Sequence, residues 1–424
     1  MRKYVQLVSL FLFGIAFSLA QEGGAWGQTN TRTAKNSCVK CHAEVGDELA
    51  APIAQVESDV HGRRGFSCAS CHGGNPNDDD HDRSMDPQGG FIGTPAPRQV
   101  QSFCGKCHSN AEIMKRYNPA MRVDQETEYA SSVHGKKTAQ ADQKAATCIS
   151  CHGYHGVKSV KDTNSPVFAT HVAETCGRCH ADAEYMKSYG IPTDQLQKYR
   201  QSVHAEALLK KQDLSAPTCN DCHGNHGAAP PGSTAVANVC GTCHARQSEL
   251  FSDSPHKSAF DGLGVSECVA CHNNHDVRHP SDDLIGTAPQ SICVKCHDPG
   301  EAGFLAAETM HRRLRELDGK IVQADQILGK AARAGMEVSR PRFELTSARD
   351  GLINARVVIH SSKPDVLDKA VAASLTVAEK AQHSGEDAMN ELQFRRKGLA
   401  ISLLIIAVAV VSIYLKIRQI ERDT

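Results

Sequence analysis

Apolar residues are distributed along this chain in three different ways. Near the start, Arg2 and Lys3 precede an apolar run from Tyr4 to Leu19, and Ser18-Leu19-Ala20 puts small residues where a signal peptidase reads. This pattern predicts an export signal over residues 1–20, cleaved after Ala20 or, as a second choice, after Gly27; left uncleaved, the segment becomes an N-terminal anchor. Between residues 38 and 297 no sustained alternation marks a strand, and clusters of Gly, Pro, Asn and Asp, such as Asp86 to Pro97 and Ala228 to Ser233, read as loops. From Ala302 onward, helical spacing takes over.

In that last part Met310, Leu314, Leu317, Ile321, Ala324, Leu328 and Ala331 follow one another in alternating steps of four and three. Leu345, Ala348, Leu352, Ala355 and Ile359 do the same after Pro341, and Pro364 opens a third helix. Three helices with short connections predict an antiparallel bundle over 301–394. The third helix leads into residues 398–415, an uncharged apolar run just long enough to span a bilayer. Arg395-Arg396-Lys397 and Lys416 with Arg418 bracket it as interfacial charges would, and residues 416–424 are left as a short cytoplasmic tail. A buried soluble helix is the competing reading, and positive charge on both sides makes the positive-inside rule uninformative.

The loop-rich middle is explained by its cysteines. The chain of 424 residues has 18 of them, and every one falls in a Cys-X-X-Cys-His unit. The pairs are Cys38/Cys41, Cys68/Cys71, Cys104/Cys107, Cys148/Cys151, Cys176/Cys179, Cys219/Cys222, Cys240/Cys243, Cys268/Cys271 and Cys293/Cys296. This spacing is the attachment signature of c-type haem. Two thiols a helical turn apart bond the vinyl groups along one porphyrin edge, and the next histidine binds the iron. Disulfides would give no reason for the histidines, and structural zinc needs four ligands where each unit offers three. The sequence therefore predicts nine covalent haems c within residues 38–300, with His42, His72, His108, His152, His180, His223, His244, His272 and His297 as proximal ligands. So many cofactors in so short a stretch leave little room for an apolar side-chain core, in keeping with an aromatic content of 5%. Attachment should be coupled to folding.

A repeat runs through this region. The phrases SDVHG, SSVHG, QSVHA and DSPHK carry His61, His134, His204 and His256; CHGYHG, CHGNHG and CHNNHD carry His155, His226 and His275. In the first unit the second phrase is stretched to CHGGNPNDDDH, so His81 is the expected equivalent. These eight histidines are read as distal iron ligands, each serving a neighbouring haem rather than its own. For the ninth, His311 is the first choice, followed by His171, His279 and His360; Met85, Met114, Met121 and Met186 stay open as methionine ligands, and His383 reads as a surface residue. The acidic loop Asp78-Asp79-Asp80-His81-Asp82 reads as solvated, with a docking or cation-binding role as the sharper alternative.

The paired motifs with their SVH and CHGxHG phrases resemble the multihaem cytochromes grouped around NapC/NirT-type quinol dehydrogenases, pentahaem nitrite reductases, hydroxylamine oxidoreductase and octahaem tetrathionate reductase. The helical segment after the last motif also resembles the C-terminal helices of the larger members. The resemblance implies a mainly α-helical domain with much loop and with haems stacked in parallel and perpendicular pairs. Two departures stand out: no motif histidine is replaced by lysine as at the catalytic haem of nitrite reductases, and Ala43-Glu44-Val45 follows the first motif where NapC/NirT proteins carry a methionine.

Three functions fit these patterns. The leading one is electron transfer between membrane and periplasmic partners, either other cytochromes or a quinol-oxidising complex, from the periplasmic side of the inner membrane. The second is an oxidoreductase of small nitrogen or sulfur species, which needs one open haem, at Cys38 or Cys293. The third is direct quinol oxidation, which depends on whether the bundle stands off as a stalk or folds back along the haem region. A formal net charge of -1 gives no basic field for nucleic acid. No oligomeric state is fixed by these patterns.

Overall fold

The computed structural model describes residues 36–232 and 236–423. The export signal expected over residues 1–20 lies outside them. Among the described residues every regular element is a helix, joined by turns and extended loops. The fold is thus mainly α with much loop. The chain divides into two compact units, one of residues 1–103 with 152–159 and one of 104–151 with 160–424. The division falls inside the motif region.

In the first unit, Ser37–Val45 and Asp47–Ser58 pack as a short helix pair. The backbone N–H of Val60 donates to Val157 O at 2.8 Å, and Val157 N–H donates to the buried carboxylate of Asp59 at 2.7 Å. In the motif-bearing part of the second unit, polypeptide packing is thin. A small cluster of Ala173, Tyr199 and Ala205 is buried there, with Met114, Tyr129, Met186, Leu208 and Leu250 elsewhere. Tyr129 reaches Thr138 Oγ1 and Ala146 O, both at 2.8 Å, and Tyr199 donates to Pro217 O at 3.0 Å. Each aromatic body is buried and its hydroxyl partnered.

The main side-chain core lies at the C-terminal end. Ala302–Arg333 runs outward, Ser339–Val358 returns, and Pro364–Asp423 runs outward again. The buried face of the first helix is Met310, Leu314, Leu317, Ile321, Ala324, Leu328 and Ala331, the stripe read from spacing. Leu345, Ala348, Leu352 and Ala355 face it from the second, and Leu367, Val371, Ala378 and Ala381 from the third. Gly351 permits close approach of the second and third helices: a Cβ there would meet Ser374 Oγ at 1.8 Å. Arg313–Asp368, Arg349–Asp325 and Lys380–Glu344 pair across the helices at 2.7, 2.7 and 3.2 Å.

The third helix continues unbroken through the apolar run, whose side chains are all exposed, Leu404 by 67%. It is the one helix among the described residues that is long and apolar enough to cross a membrane. From Pro364 to Gly398 a regular helix covers about 50 Å. The turn around His360 therefore sits at the end of the bundle remote from the apolar run.

Leu314 is fully buried. Replacing it with alanine should lower bundle stability by roughly 3 kcal/mol, read as a fall in the urea midpoint of the helical circular dichroism. A loss below about 1 kcal/mol would contradict the packing described.

Candidate haem-binding site

The motifs take two alternating forms. Cys68–His72, Cys148–His152, Cys219–His223 and Glu267–His272 are short helices that begin at the motif. In three of them the residue ahead of the first cysteine donates its N–H to a side chain within the motif: Ser67 to Ser70 (3.0 Å), Thr147 to Ser150 (3.0 Å) and Thr218 to Asp221 (2.7 Å). Those bonds satisfy a donor that a helix start leaves orphaned. The motifs at Cys104 and Cys176 instead close the longer helices Pro97–His108 and Ala169–His180. Either way both thiols and the histidine come within one to two turns. Among the described residues no cysteine is joined in a disulfide.

In several motifs the two thiols are unequally covered. Cys41 and Cys71 are exposed whereas their partners Cys38 and Cys68 are half-buried; Cys107 and its partner Cys104 are both half-buried. Cys222, Cys243, Cys271 and Cys296 are exposed like Cys41 and Cys71. The reason is local. Ser37–Val45 buries only Ser37, and Cys68–His72 buries none of its residues, so little polypeptide packs over the second thiol. Cys107 lies within the longer helix Pro97–His108, which gives it more cover.

The Ser-Val-His phrases also have a local cause. Ser132 and Ser202 are helix N-caps, their hydroxyls accepting from Gly135 N–H (2.9 Å) and Ala205 N–H (3.1 Å). The histidine two residues on is thereby fixed in the first turn. At the first phrase Asp59 takes the serine's place and binds both the His61 N–H (2.7 Å) and its Nδ1 (2.9 Å).

Among the described residues, motif histidines face a second imidazole in six pairs that can be measured. In the first unit His72 and His155 have ring centroids 6.2 Å apart. In the second, the pairs are His180 with His134 (6.0 Å), His244 with His204 (6.4 Å) and His223 with His275 (5.9 Å). His297 with His256 (6.0 Å) and His272 with His360 (6.1 Å) complete the set. Two metal–imidazole bonds of about 2 Å, plus the distance from each nitrogen to its ring centre, come to about 6 Å. The gap therefore fits one iron between two axial imidazoles. No group of three His, Cys, Asp or Glu among the described residues could hold a bare metal ion. Two axial donors, with the equatorial positions left to a porphyrin, are what the structure offers.

The outer nitrogens are held as ligand histidines require. Nδ1–H donates to Gly93 O from His72 (2.9 Å), to Ala229 O from His223 (3.2 Å) and to Val357 O from His360 (2.8 Å). His256 Nδ1 is 2.8 Å from Ser362 Oγ. These bonds fix the tautomer and leave Nε2 free. His155 Nδ1 is buried without a hydrogen-bond partner, so a lone pair remains there for a metal. Burial first, then the facing imidazole, push His134, His155, His204, His256, His272 and His275 below the ordinary histidine pKa. The neutral ring is the form that binds metal.

Neighbouring motifs are also in register. The thiols of Cys104 and Cys148, of Cys176 and Cys219, and of Cys240 and Cys268 lie close enough to perturb one another. Cys151 lies close enough to feel the charge of Cys179, Cys222 that of Cys240 and Cys243, and Cys271 that of Cys293 and Cys296. In the second unit the attachment edges thus follow one another in chain order. In the first, Cys68 feels Cys38 in the same way.

The other expected ligands have these surroundings. His226 Nδ1 is 3.8 Å from Glu128, and His108 and His152 close their helices. His81 is exposed on the short helix His81–Ser84 and bonds Asp82 at 3.0 Å. His42, on Ser37–Val45, has no imidazole opposite it among the described residues. His311, the first choice for the ninth ligand, has its Nε2 3.4 Å from Asp283 and buried without a hydrogen-bond partner, and Gly286 lies against its ring. The place opposite a motif histidine goes to His360, ranked behind it from sequence. His171 and His279 bond the carbonyls of Ser165 and Pro280, and His383 lies beside Glu386. Met114 and Met186 are buried in polypeptide packing. Tyr129, Tyr199 and Ser362 were missed by sequence reasoning. The two tyrosines stand three residues ahead of Ser132 and Ser202, a repeat signal that could have found them; Ser362 has no such signal.

Comparison with known proteins agrees with this geometry. A family model described as cytochrome c3 matches residues 211–298, and one for cytochrome c554 and c-prime matches residues 19–73. The multiheme cytochrome MtrA of Shewanella baltica is 24% identical over 290 residues, 59% of this chain and 80% of that protein. The C-type polyheme cytochrome OmcB of Geobacter sulfurreducens is 24% identical over 203 residues, 42% of this chain and 25% of the relative. OmcC of the same species is 21% identical over 294 residues, 67% of this chain and 32% of the relative. The chain therefore spans most of the first relative and a third or less of the other two. No solved structure matches. Motifs, facing imidazoles and family matches together define a helical protein that holds covalently bound haem c for electron transport. The chain is a multihaem c-type cytochrome.

Gly303 adjoins one site: a Cβ there would meet His297 Cε1 at 2.2 Å. Gly303→Ala should displace that ring and shift the potential of one haem, read by a spectroelectrochemical titration. A titration curve identical to the wild type would show that the ring tolerates the added methyl.

Proposed function

We propose that this chain is a membrane-anchored, periplasmic nonahaem cytochrome that transfers electrons along an array of mostly bis-histidine haems. The six facing imidazole pairs carry this reading. His61 and His226 occupy the same repeat positions as members of those pairs and are assigned the same role. Bound haem c supplies a one-electron ferric/ferrous couple at each motif. The protein's own part is to attach each ring through two cysteines, hold the imidazoles neutral and aimed, and keep attachment edges adjacent in chain order from Cys104 to Cys293. The exposed thiols of Cys41 and Cys71 and the half-buried one of Cys107 are assigned to attachment with the rest, each a helical turn from its partner. An iron with both faces filled exchanges electrons without binding substrate.

In this reading residues 38–300 form the haem domain, 301–394 the bundle, 398–415 the span and 416–424 the cytoplasmic tail. The partners are other cytochromes or a quinol-oxidising membrane complex. The position of His360 weighs against direct quinol oxidation at the last two motifs. They sit at the far end of the bundle, about 50 Å of helix from the apolar run.

A second reading keeps one observation in its favour. His42 has no imidazole opposite it among the described residues, so the Cys38 haem is the candidate for an open face toward a small nitrogen or sulfur species. At Cys293, the other candidate from sequence, His256 faces His297.

Iron and mass analysis of the mature protein should give nine haems per chain. Low-temperature paramagnetic resonance should show low-spin iron throughout, with at most one high-spin centre. Several high-spin centres would falsify the bis-histidine array; one that shifts on adding nitrite, hydroxylamine or sulfite would favour the second reading. Truncation after Glu391 should release the protein from the membrane fraction with its haem content intact, whereas continued sedimentation with membranes would rule out the C-terminal anchor.

A further inference from the structure

The repeat has a backbone signature. Val133 N–H donates to Ala228 O at 3.1 Å and Val203 N–H to Val277 O at 2.8 Å in the second unit, as Val60 N–H does to Val157 O at 2.8 Å in the first. Each time the residue ahead of a Ser/Asp-Val-His histidine is tied to the segment two residues beyond the second histidine of a Cys-His-X-X-His phrase. That second histidine faces a motif histidine two motifs back where His155 meets His72 and where His275 meets His223. By this rule His272 needs a fourth Cys-His-X-X-His phrase after residue 297. The sequence has none.

The bundle hairpin occupies that place. The fourth phrase has Pro255, which has no N–H to give. The contacts are made instead by the turn Ile359–Lys363. Lys363 Nζ donates to Asp253 O at 3.0 Å, and Ser362 Oγ lies 2.8 Å from His256 Nδ1. His360 donates Nδ1–H to Val357 O at 2.8 Å and faces His272 at 6.1 Å, with ring planes 23° apart. Ser362 has φ +54°, a left-handed conformation that glycine adopts more readily. A serine there keeps a hydroxyl on the neighbouring ligand.

We propose that this turn is the terminal cap of the haem array. His360 Nε2 is the distal iron ligand for the haem on Cys268, Cys271 and His272. Ser362 is a positioning residue that accepts from His256 Nδ1–H and so aims His256 Nε2 at the haem on Cys293, Cys296 and His297. The bundle thus does the work of a missing repeat, as atypical end repeats do in stacked arrays. The proposal rests on the haem reading above.

The test compares holoprotein variants with the wild type. His360→Ala should keep the wild-type haem content and convert one further iron from low to high spin. His360→Met should stay low-spin and raise the potential of one haem, which covers the case in which the alanine variant fails to mature. Ser362→Ala should keep the spin count but shift the potential of one haem, with Ser362→Thr restoring it. If His360→Ala matures with an unchanged spin count, or if His311→Ala rather than His360→Ala frees an iron face, the cap is overturned while the haem reading stands. Wild-type protein with bare thiols overturns the haem reading itself, and the cap with it.

Discussion

The structure of the haem region depends on pairs of imidazoles held face to face across a gap of one iron atom. The two rings of each pair come from segments well separated in sequence: His72 from the short helix at the second motif and His155 from the loop after the fourth, or His204 from a capped helix and His244 from a later motif. Most of these rings are partly buried, and His155 Nδ1 is buried without a hydrogen-bond partner. Buried polar groups without partners destabilise a fold, so the unpartnered His155 Nδ1 sets a requirement that a bound metal would meet. In the proposed haem reading, cofactor attachment would be coupled to chain compaction, as in other domains that fold around a metal.

The same constraint explains why polypeptide packing is so unevenly distributed. Ahead of residue 302, buried side chains are few and are tied by their polar ends, as Tyr129 and Tyr199 are through their hydroxyls. Beyond it, leucines, valines and alanines interlock along three helices with hardly any polar group among them. One region takes its interior from porphyrin and the other from aliphatic side chains. They join at the turn around His360, which belongs to the bundle by chain and to the haem array by contact.

How much of this could be read from sequence follows from the same physics. The stripe from Met310 to Ala331 was legible because a helix with one wet face has a strict period, and each of those side chains is buried. The motifs were legible because the chemistry of attachment tolerates little variation. The uneven cover of their thiols, with Cys41 and Cys71 exposed and Cys107 half-buried, was not, because it follows from what each short helix packs against. Most repeat histidines, His134 and His275 among them, could be flagged because they recur at fixed places. Their pairing could not, since ring-to-ring distance is set by folding. His311 and His360 show the limit most clearly. Both are single histidines near a helix end, and only the course of the Ile359–Lys363 turn and the carboxylate of Asp283 separate their roles. The stretched phrase around His81 differs in kind: its extra acidic residues build a capped helix of their own.

The unbroken third helix carries a mechanical consequence. With no proline or bulge between Pro364 and the apolar run, rotation at one end is transmitted to the other as by a lever arm. A 20° tilt of a helix in a bilayer is ordinary, and over about 50 Å it moves the far end sideways by about 17 Å. The last two motifs would then sweep a disc above the membrane, and their encounter with a mobile partner would be governed by the swing of that arm as well as by diffusion.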